Sequence, residues 1–540
     1  MNGRKILRFT RRIAREIKNT CLKKDLFKRV LWRIRQEIRK KAELKNRAEL
    51  YRKDYLENLM PVLESMPISN GSRYYGKQKV KIAIIADEFL YDSFKDIAEF
   101  IYITPDDYLD YVEEVEFLLV ASTWRGLCNE WRFMATPDTE NNERIQTVIE
   151  TYKKAGKTVV FYNKEDPVNY EHFLFIAKKC DVIFTSCVEK VEDYKKDCDN
   201  NEVYVMEFCI NPVFHNPIGM CNKYRTDGVL FAGAWRRKYP DRVKVMENIL
   251  DGVIDAGREL IIADRYFSSE DVNYLFPTRY HKFTTKEIPH DYLQKVHKLY
   301  NWAINVNSVT DSKTMFANRV YELQANGCLI ISSPSIGVKE KFDEVIIVNS
   351  KQDVVAALNC YEPDEMYYHQ IAGVRRVMTG ETNYDRIKTI CSALDIKLEK
   401  IERKVLVIVE RITPQIQAMF DKQTYLYKEL VEIEKVLGEK YNTCDIVTRW
   451  NENDVYEMFY LEDMINGFKY TNCDYITKAC YKYRDEYVGM KEHDYVSEIA
   501  NVSATVFWRS AISLSDLMSM TDGVKRNNGY SIDHFNYIKR

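Results

Sequence analysis

Charged side chains suited to acid–base chemistry follow a short apolar run in the segment 162–173, which reads YNKEDPVNYEHF. Glu165 and Asp166 come directly after Lys164, and His172 follows one turn later. A carboxylate or an imidazole can remove a proton from a hydroxyl group, and the lysine adds a cation next to it. We therefore predict acid–base candidates in the order Asp166, Glu165 and His172.

A second set of candidates is basic and follows another apolar run, in the segment 229–242. Gly233 lets the backbone approach a ligand closely, and Arg236, Arg237 and Lys238 place three cations beside it. Backbone N–H groups and guanidinium groups together suit a pyrophosphate. A solvated basic loop has the same composition, so this segment alone leaves both interpretations open.

Small polar residues join a third apolar run to a predicted helix in the segment 305–322. Ser312 and Thr314 are of the types that cap a helix N-terminus, where free N–H groups would point into a cleft. Glu322 falls two turns further along, where a carboxylate can accept two hydrogen bonds from a ribose diol. Ordinary helix capping with a surface glutamate is the alternative interpretation.

Two further apolar runs also end in polar or charged residues. Asp87 and Glu88 follow the first run of the chain, and Trp124 and Arg125 follow the next. Any one of these residues taken alone is typical of a solvated loop. Three charged strand ends on one edge favour a binding site.

Positioning these residues requires a sheet, because the apolar runs are short and alternate with helical patterns. The runs that predict strands lie at 80–86, 117–121, 158–162, 182–185 and 203–206, and then at 228–233, 259–263, 302–306, 328–332 and 344–348. The patterns that predict helices lie at 144–155, 170–179, 241–256, 291–300, 315–325 and 384–402. Alternating strands and helices predict parallel strands joined by right-handed crossovers. We therefore predict an α/β fold of two Rossmann-like domains, 78–222 and 226–380, with the ligand between them at the carboxyl ends of the strands.

A basic helical extension is predicted over residues 1–70, ahead of the two domains. Its first 50 residues carry 18 Lys and Arg against five Asp and Glu, and Phe27, Leu31, Ile34 and Ile38 mark one apolar face. Such a helix either packs its stripe on the main body or lies on an anionic lipid or polymer surface. A nucleic-acid arm is disfavoured because no known nucleic-acid-binding motif accompanies it.

After the two domains we predict a connecting helix over 381–402 and then a less regular α+β or helical tail over 403–540. Within the tail, the pattern predicts a strand at 405–409 and a helix at 415–437.

Composition restricts the class of protein. The 540 residues are 46% hydrophobic and 30% charged with a net charge of −1, which is typical of a globular protein. No apolar run approaches the ~20 residues that cross a bilayer, and the basic N-terminus lacks the apolar core of a secretory signal. Thirteen cysteines without a C-x-x-C pair exclude a disulfide framework and argue against structural zinc. We expect a reduced, cytoplasmic protein, peripheral at the inner face of the membrane if the basic helix binds lipid.

Five ordered blocks together resemble the CgeB-like (spore maturation protein-like) glycosyltransferases, a bacterial cytoplasmic group with the GT-B fold. The blocks are IADEF at 85–89, STWRG at 122–126, YNKEDPVNYEHF at 162–173, FAGAWRRKYPDR at 231–242 and NVNSVTDSKTMFANRVYELQANG at 305–327. The resemblance implies a nucleotide-sugar donor, UDP- or GDP-linked, bound mainly by the second domain. The implied donor-binding residues are Gly233, Arg236, Arg237, Ser312, Thr314, Asn318, Arg319 and Glu322. The implied acceptor site lies against the first domain, near Trp124, Arg125, Asn163 and the three acid–base candidates.

The stereochemistry of the reaction stays open at this point. Many retaining GT-B enzymes carry a second glutamate eight positions before the one that corresponds to Glu322, and Thr314 stands there in this chain. The resemblance therefore does not decide between retention and inversion at the sugar.

The tail carries a resemblance of its own, because residues 446–481 look like the later part of a family-2 (GT-A) glycosyltransferase. In that family an Asp-rich cluster binds the donor diphosphate through a divalent metal. The corresponding residues here are Asn451, Glu452, Asn453 and Asp454, and two neutral amides are poor ligands for Mg²⁺ or Mn²⁺. We predict a degenerate remnant without a metal, with residual metal binding by Glu452 and Asp454 as the alternative.

Together these observations predict a metal-independent glycosyltransferase that needs no cofactor beyond its nucleotide-sugar substrate. The expected acceptor is an anionic glycan, a lipid-linked glycan or a protein of the cell envelope or surface, and no nucleic acid is expected as a partner. Two alternatives remain: a polyol-phosphate transferase of the teichoic-acid type with a CDP-linked donor, and a non-catalytic GT-B partner protein.

Overall fold

Three large β-sheets and a smaller one organise the residues that the structure describes. The computed structural model describes residues 24–220, 225–436, 438–484, 486–489 and 491–540. Within these ranges the helices are α1 (Lys24–Leu50), α2 (Tyr55–Ser65), α3 (Glu88–Phe94), α4 (Glu140–Lys154), α5 (Tyr170–Ala177), α6 (Val191–Cys198), α7 (Pro240–Asp255), α8 (His290–His297), α9 (Arg319–Ala325), α10 (Ile336–Lys341), α11 (Lys351–Leu358), α12 (Pro363–Met378), α13 (Asn383–Ala393), α14 (Pro414–Asp421), α15 (Gly438–Asn442), α16 (Tyr460–Gly467) and α17 (Leu514–Ser519).

The first sheet is parallel throughout. Its strands are β1 (Lys81–Ile85), β2 (Glu99–Tyr102), β3 (Phe117–Ala121), β4 (Thr158–Asn163), β5 (Val182–Thr185) and β6 (Val203–Val205), in the spatial order β2-β1-β3-β4-β5-β6. The five strands predicted for this part of the chain are confirmed. The edge strand β2 was not predicted, because its side chains are exposed or half-buried and it lacks an apolar run.

The second sheet is also parallel. Its strands are β7 (Thr226–Gly233), β8 (Leu260–Asp264), β9 (Thr284–Thr285), β10 (Tyr300–Asn305), β11 (Leu329–Ser332) and β12 (Val345–Ile347), in the order β12-β11-β10-β7-β8-β9. The strand order reverses between β7 and β10, and doubly wound sheets bind ligands outside the carboxyl ends of the strands at such a point. Two successive parallel sheets confirm the predicted fold class of two Rossmann-like units.

A hydrogen-bonded seam joins the carboxyl edges of these two sheets. The Ser312 hydroxyl donates to the Glu189 carboxylate at 2.6 Å. The Thr314 hydroxyl donates to the Ser186 carbonyl at 2.9 Å and accepts from the Val188 N–H at 2.8 Å. These contacts hold the loop after β5 against the segment before α9, so the two ligand-binding edges lie next to each other.

The tail forms a mixed sheet of its own, where the sequence predicted less regular structure. The strands of this sheet are β13 (Val405–Val409), β14 (Lys428–Glu432), β15 (Ile446–Arg449), β17 (Tyr475–Thr477), β20 (Asp494–Ile499), β21 (Thr505–Trp508) and β22 (Val524–Ser531), in the order β14-β13-β15-β21-β17-β22-β20. The smaller sheet contains β16 (Val455–Tyr456), β18 (Tyr481–Tyr483), β19 (Glu486–Val488) and β23 (Tyr537–Lys539). A buried two-point ion pair, with Arg375–Asp463 distances of 2.6 and 2.9 Å, joins α12 to α16 and so attaches the tail to the second unit.

The N-terminal extension contains two helices in its described part, not one. Residues 1–23 of the predicted helix lie outside the described residues. α1 and α2 are separated at 51–54, because the Arg52 N–H leaves the helical pattern and donates to the Thr284 carbonyl of β9 at 2.8 Å.

α1 contacts the second unit through polar side chains. The Asn46 amide oxygen lies 2.8 Å from His281 Nδ1, and the Arg47 guanidinium lies 4.4 Å from the centre of the Phe267 ring. Ile38 is 64% exposed, so the interpretation in which the apolar stripe packs on the main body is wrong at this residue.

Three other predicted helices are shorter in the structure. The segment 384–402 is helical only to Ala393, and Asp395 then adopts a left-handed φ of 54°. The segment 415–437 is helical only to Asp421, because residues 428–432 pair with β13, and tertiary pairing outweighs a local helical pattern. The segment 315–325 becomes helical only at Arg319, since the residues before it form the seam.

Candidate functional site

Four arginines gather at the carboxyl edge of the second sheet: Arg236, Arg242, Arg265 and Arg319. The Arg319 guanidinium donates to the Ala232 carbonyl at 2.7 Å, and that of Arg242 donates to the Ala234 carbonyl at 3.2 Å. Burial, with repulsion from Arg265, lowers the pKa of Arg319 to about 10. Burial, with repulsion from Arg319 and Arg236, lowers the pKa of Arg242 to about 10. Arg319 therefore lies close enough to repel Arg265 and Arg242, and Arg242 lies close enough to repel Arg236.

The carboxylate of Glu322, on α9, interacts electrostatically with Arg319 and Arg265. The side chain is almost buried and accepts a hydrogen bond from the Asn318 amide at 2.6 Å. Burial raises the pKa of Glu322, against the opposing effect of His290 and Arg319. Nε2 of the buried His215 lies 3.8 Å from the carboxylate and has no hydrogen-bond partner. The four arginines and Glu322 together therefore carry a net positive charge.

This arrangement suits a nucleoside diphosphate. Guanidinium groups bind phosphate oxygens through paired hydrogen bonds, and cations that repel one another gain when an anion binds between them. The Glu322 carboxylate can accept hydrogen bonds from the hydroxyls of a ribose. Among the described residues, Arg242 Nε and the Asn318 amide oxygen are buried without hydrogen-bond partners, whereas buried polar atoms in proteins are normally paired. A ligand could therefore engage these two atoms as well.

The cations of the basic loop after β7 lie in two different environments. Arg236 stays beside the other arginines, whereas Arg237 Nη2 lies 3.4 Å from the Glu43 carboxylate of α1. Arg237 and Glu43 both line a cavity of about 390 Å³ that also contacts the beginning of α7. Gly233 is required by the packing of its own strand, because a Cβ at this position would lie 2.6 Å from the Phe231 ring.

Ser312 and Thr314 take part in the seam and do not cap α9. Both side chains bond residues of the first unit, and the N-cap residue of α9 is Asn318, whose side chain makes no capping hydrogen bond. The N-cap assignment is therefore wrong, and contact of these two hydroxyls with a donor stays a prediction.

Asp166, the first acid–base candidate, is buried within the first unit. It accepts hydrogen bonds from the Asn163 amide at 2.8 Å, the Thr185 hydroxyl at 2.6 Å and the Tyr194 hydroxyl at 3.3 Å. Burial raises the pKa of Asp166 to about 7, against the effect of the two hydroxyl donors. An acceptor cannot reach a carboxylate with no exposed surface, so we infer that Asp166 and the equally buried Asn163 hold the loop after β4 in place.

Glu165, the second candidate, belongs to an ion-pair network on the same loop. The Lys164 ammonium lies 2.9 Å from the Asp87 carboxylate and 3.1 Å from that of Glu165. Although burial opposes it, the charges of Asp87 and Glu165 raise the pKa of Lys164. The Glu165 side chain is 30% exposed, so it meets both the lysine and solvent.

His172, the third candidate, lies on the surface beside Trp124. Their ring centroids are 5.5 Å apart, and Arg125 is exposed next to the tryptophan. An exposed indole can cover the apolar face of a sugar ring while the imidazole takes a proton from a hydroxyl group. His172 and Glu165 are therefore the two candidates that an acceptor can reach.

The acidic cluster of the tail is used for packing at Asp454. One carboxylate oxygen accepts from the Tyr537 hydroxyl at 2.7 Å and the other from the Arg540 N–H at 3.1 Å. Burial raises the pKa of Asp454. Because both oxygens are engaged, the alternative of residual metal binding by Glu452 and Asp454 is disfavoured.

Three residues of the arginine-rich site were not assigned from the sequence: Arg242, Arg265 and His290. Arg265 directly follows β8, so it could have been predicted from the signal used for the other strand ends, a charged residue after an apolar run. Arg242 is the last residue of the block 231–242 but lies inside α7, and His290 begins α8 without a local pattern that indicates a site.

Residues 263–392 match the family described as glycosyl transferase-like. The match spans Arg265, His290, Arg319 and Glu322, which are most of the site. For this region it confirms the prediction of an enzyme of the glycosyltransferase type. No match was found among curated proteins.

Solved structures with a similar arrangement include T4 phage BGT in complex with UDP and Mn²⁺, at 13% identity over 58% of this chain and 100% of that chain, with a TM-score of 0.38. The Anabaena protein HepE in complex with UDP is 9% identical over 58% of this chain and 91% of that chain, with a TM-score of 0.36. The N-terminal domain of Candida albicans trehalose-6-phosphate phosphatase is 11% identical over 61% of this chain and 99% of that chain, with a TM-score of 0.37. At this level of similarity these structures do not bear on the chemistry of the site, which rests on its own residues.

Proposed function

We propose that this protein transfers a glycosyl group from a nucleoside-diphosphate sugar, held at the edge of the second sheet, to a hydroxyl group of an acceptor held at the edge of the first. The observation that carries the proposal is the group of four arginines near Glu322, with its surplus of positive charge and its unpartnered polar atoms. The glycosyl transferase-like match over 263–392 supports the same class of reaction.

In this reaction the bond between the anomeric carbon and the diphosphate breaks, and a bond from that carbon to the acceptor oxygen forms. The leaving nucleoside diphosphate gains negative charge, which Arg319 and the neighbouring arginines stabilise in place of a metal ion. The acceptor hydroxyl gives its proton to His172 or Glu165, the two candidates with exposed surface. The seam between the sheets limits access of water, which would otherwise compete as the acceptor.

The resemblance to CgeB-like glycosyltransferases supports an acceptor of the cell envelope or surface, and α1 supports a location near an anionic membrane. Ile38 is exposed on this helix together with the cations Arg35, Lys41 and Lys45. Apolar and basic side chains on one exposed helix suit a lipid surface that carries negative charge. No helix among the described residues has both the length and the apolar character needed to cross a bilayer.

A thermal-shift panel of UDP, GDP, CDP and their sugars, with and without Mn²⁺, tests the donor site. A ligand at 100 times its Kd stabilises the folded state by about 2.7 kcal/mol. We expect one nucleotide to raise Tm without Mn²⁺, and we expect Arg319→Gln to remove the shift. Arg279→Gln is the matched control, because Arg279 is half-exposed and pairs with Glu247 on the surface.

The other outcomes of this panel discriminate among the alternatives. A shift that requires Mn²⁺ contradicts a metal-independent donor site. A shift with CDP-linked polyols alone favours polyol-phosphate transfer. No shift with any nucleotide contradicts the proposal and favours a non-catalytic partner protein.

The proton acceptor is tested by His172→Asn and Glu165→Gln in parallel. We expect the variant that removes the base to lower kcat at least tenfold with nucleotide affinity unchanged, since general-base catalysis contributes about 10²–10⁴-fold. Wild-type kcat in both variants would contradict the assignment of the base to this loop.

Membrane contact is tested by sedimentation with vesicles of phosphatidylglycerol or of phosphatidylcholine. We expect binding to the anionic vesicles only, with a loss at high salt and in Ile38→Ser. Equal binding to both lipids, or to neither, would contradict a role for α1 at an anionic membrane.

A further inference from the structure

Three side chains that bind transition metals meet in the tail, outside both sheet edges described above. The Cys480 sulfur, a carboxylate oxygen of Glu492 and a ring nitrogen of His534 all lie within 4.8 Å of one another. Cys480 and His534 are buried, and Glu492 is largely covered. His534 Nδ1 lies 2.8 Å from the Glu492 carboxylate, whereas the buried Nε2 of the same ring has no partner.

The backbone near each of these residues is held by the tail itself. Gly489 has a left-handed φ of 90°, and a Cβ there would overlap the Ala479 carbonyl oxygen, so Gly489 packs directly against the residue before Cys480. The Ser531 hydroxyl donates to the Lys491 carbonyl at 2.7 Å and accepts from the Ala479 N–H at 3.0 Å. Three separate segments are thereby brought to one point before any ligand binds.

We propose that Cys480, Glu492 and His534 bind a zinc ion. A thiolate, an imidazole and a carboxylate are all common Zn²⁺ ligands, whereas Mg²⁺ and Ca²⁺ prefer sets made of oxygen atoms alone. Bond lengths of ~2.0–2.3 Å place the ligand atoms of a tetrahedral zinc ~3.3–3.8 Å apart. Separations of up to 4.8 Å therefore shorten by about 1 Å, and coordination replaces the 2.8 Å hydrogen bond between His534 and Glu492. A water molecule supplies the fourth ligand.

The expected role of the ion is to fix the tail against the second unit. The Tyr367 hydroxyl of α12 lies 3.0 Å from Nε2 of His493, the residue after Glu492, and its ring centroid lies 5.5 Å from that of His534. The proposal therefore concerns stability and docking of the tail and does not depend on the transfer reaction. The sequence argued against zinc because it has no C-x-x-C pair, but ligands from distant segments leave no such local pattern.

Cobalt substitution tests this site on the full chain, purified without a metal-affinity tag and stripped with a chelator. After the stripped protein is reloaded with Zn²⁺, we expect about one equivalent per chain to remain bound through dialysis. Bound Co²⁺ is expected to show a thiolate-to-metal band in the near ultraviolet. Cys480→Ser should remove this band, whereas Cys360→Ser, at an exposed cysteine of the second unit, is the matched control and should keep it.

A second variant keeps the test decisive if Cys480→Ser fails to fold. Glu492→Gln retains the thiol and the imidazole, and we expect it to bind Co²⁺ at least about tenfold more weakly, as losses around metal ligands usually do. Wild-type protein without stoichiometric zinc, a cobalt spectrum without a thiolate band, or equal Co²⁺ affinity in Glu492→Gln and the wild type would each overturn the proposal.

Discussion

The carboxyl edges of the two parallel sheets carry opposite kinds of electrostatic arrangement. At the first edge the protein compensates its own charges, since Lys164 lies between Asp87 and Glu165 and three donors surround Asp166. At the second edge Arg319 and Arg265 act on the carboxylate of Glu322, and Arg242 and Arg236 add two further positive charges beside Arg319. The charges named at the first edge are paired, whereas the cations named at the second edge outnumber the carboxylate of Glu322. This difference supports our proposal that the anionic donor binds at the second sheet and the acceptor at the first.

The largest expected effect comes from removing a cation at the second edge. We expect Arg319→Gln to lower kcat about 10²–10³-fold, or about 2.7–4 kcal/mol of transition-state stabilisation, because a preorganised donor to the leaving group is lost. Steady-state kinetics with the nucleotide sugar identified by thermal shift measures the effect. Arg279→Gln should keep the wild-type rate. A wild-type rate in Arg319→Gln would contradict the assignment of the donor to the second edge.

A smaller effect, with opposite signs for two ligands, is expected from removing the carboxylate of the second edge. Glu322→Gln should weaken binding of the nucleoside diphosphate by about 1.5–3 kcal/mol, because charged hydrogen bonds to the ribose are lost. The same variant should bind inorganic pyrophosphate at least as tightly as the wild type, since a negative charge near the phosphates is gone. Calorimetry with both ligands measures the two changes, and parallel changes would exclude a ribose contact.

At the first edge the expected effect is on the pH dependence of stability. Burial raises the pKa of Asp166 to about 7 in the folded state, against ~3.9 in an unfolded chain. Between these values the folded state binds more protons, so the free energy of unfolding falls as pH rises from about 4 to 7.

Asp166→Asn cannot titrate and should remove this dependence, by at most about 1.4 kcal/mol per pH unit. Urea unfolding of both proteins from pH 4 to 8 measures the difference between their free energies of unfolding. The other buried carboxyl groups are the same in both proteins, so their contributions cancel in this difference. A constant difference across this range would show that Asp166 does not titrate with a raised pKa.

The smallest expected effect concerns the contact between α1 and the second edge. Glu43→Gln removes a partly exposed ion pair with Arg237, and such pairs contribute ~0.2–1 kcal/mol. If Arg237 also binds the nucleotide-sugar donor, its release from the ion pair in Glu43→Gln should raise nucleotide affinity by less than about fivefold. Arg237→Gln should lower that affinity. Unchanged affinity in both variants would assign Arg237 to α1 alone.

Prediction from sequence succeeded where the signal was local. β3 and β5 have the predicted bounds, because strands covered on both faces are continuous apolar runs between polar loops. It failed for 428–432, whose half-buried residues became a strand through pairing with β13. At the site, Glu322 was identified from the segment 305–322 and Arg319 through the family resemblance, whereas Arg242 and His290 approach them only through the packing of α7 and α8.

The amino-acid sequence by itself determined the two parallel sheets and the polar residues at their carboxyl edges, because each follows from residues that are neighbours along the chain. The class of chemistry followed from the family resemblance of five sequence blocks. Only the tertiary structure decided which charges are available to a substrate. The Asp166 carboxylate accepts hydrogen bonds from Thr185 and Tyr194 and so is not available to a substrate. Arg237 is paired with Glu43, which lies 194 residues away. Burial and ion pairing depend on contacts between distant segments, and therefore the roles of these charged residues cannot be deduced from their local sequence.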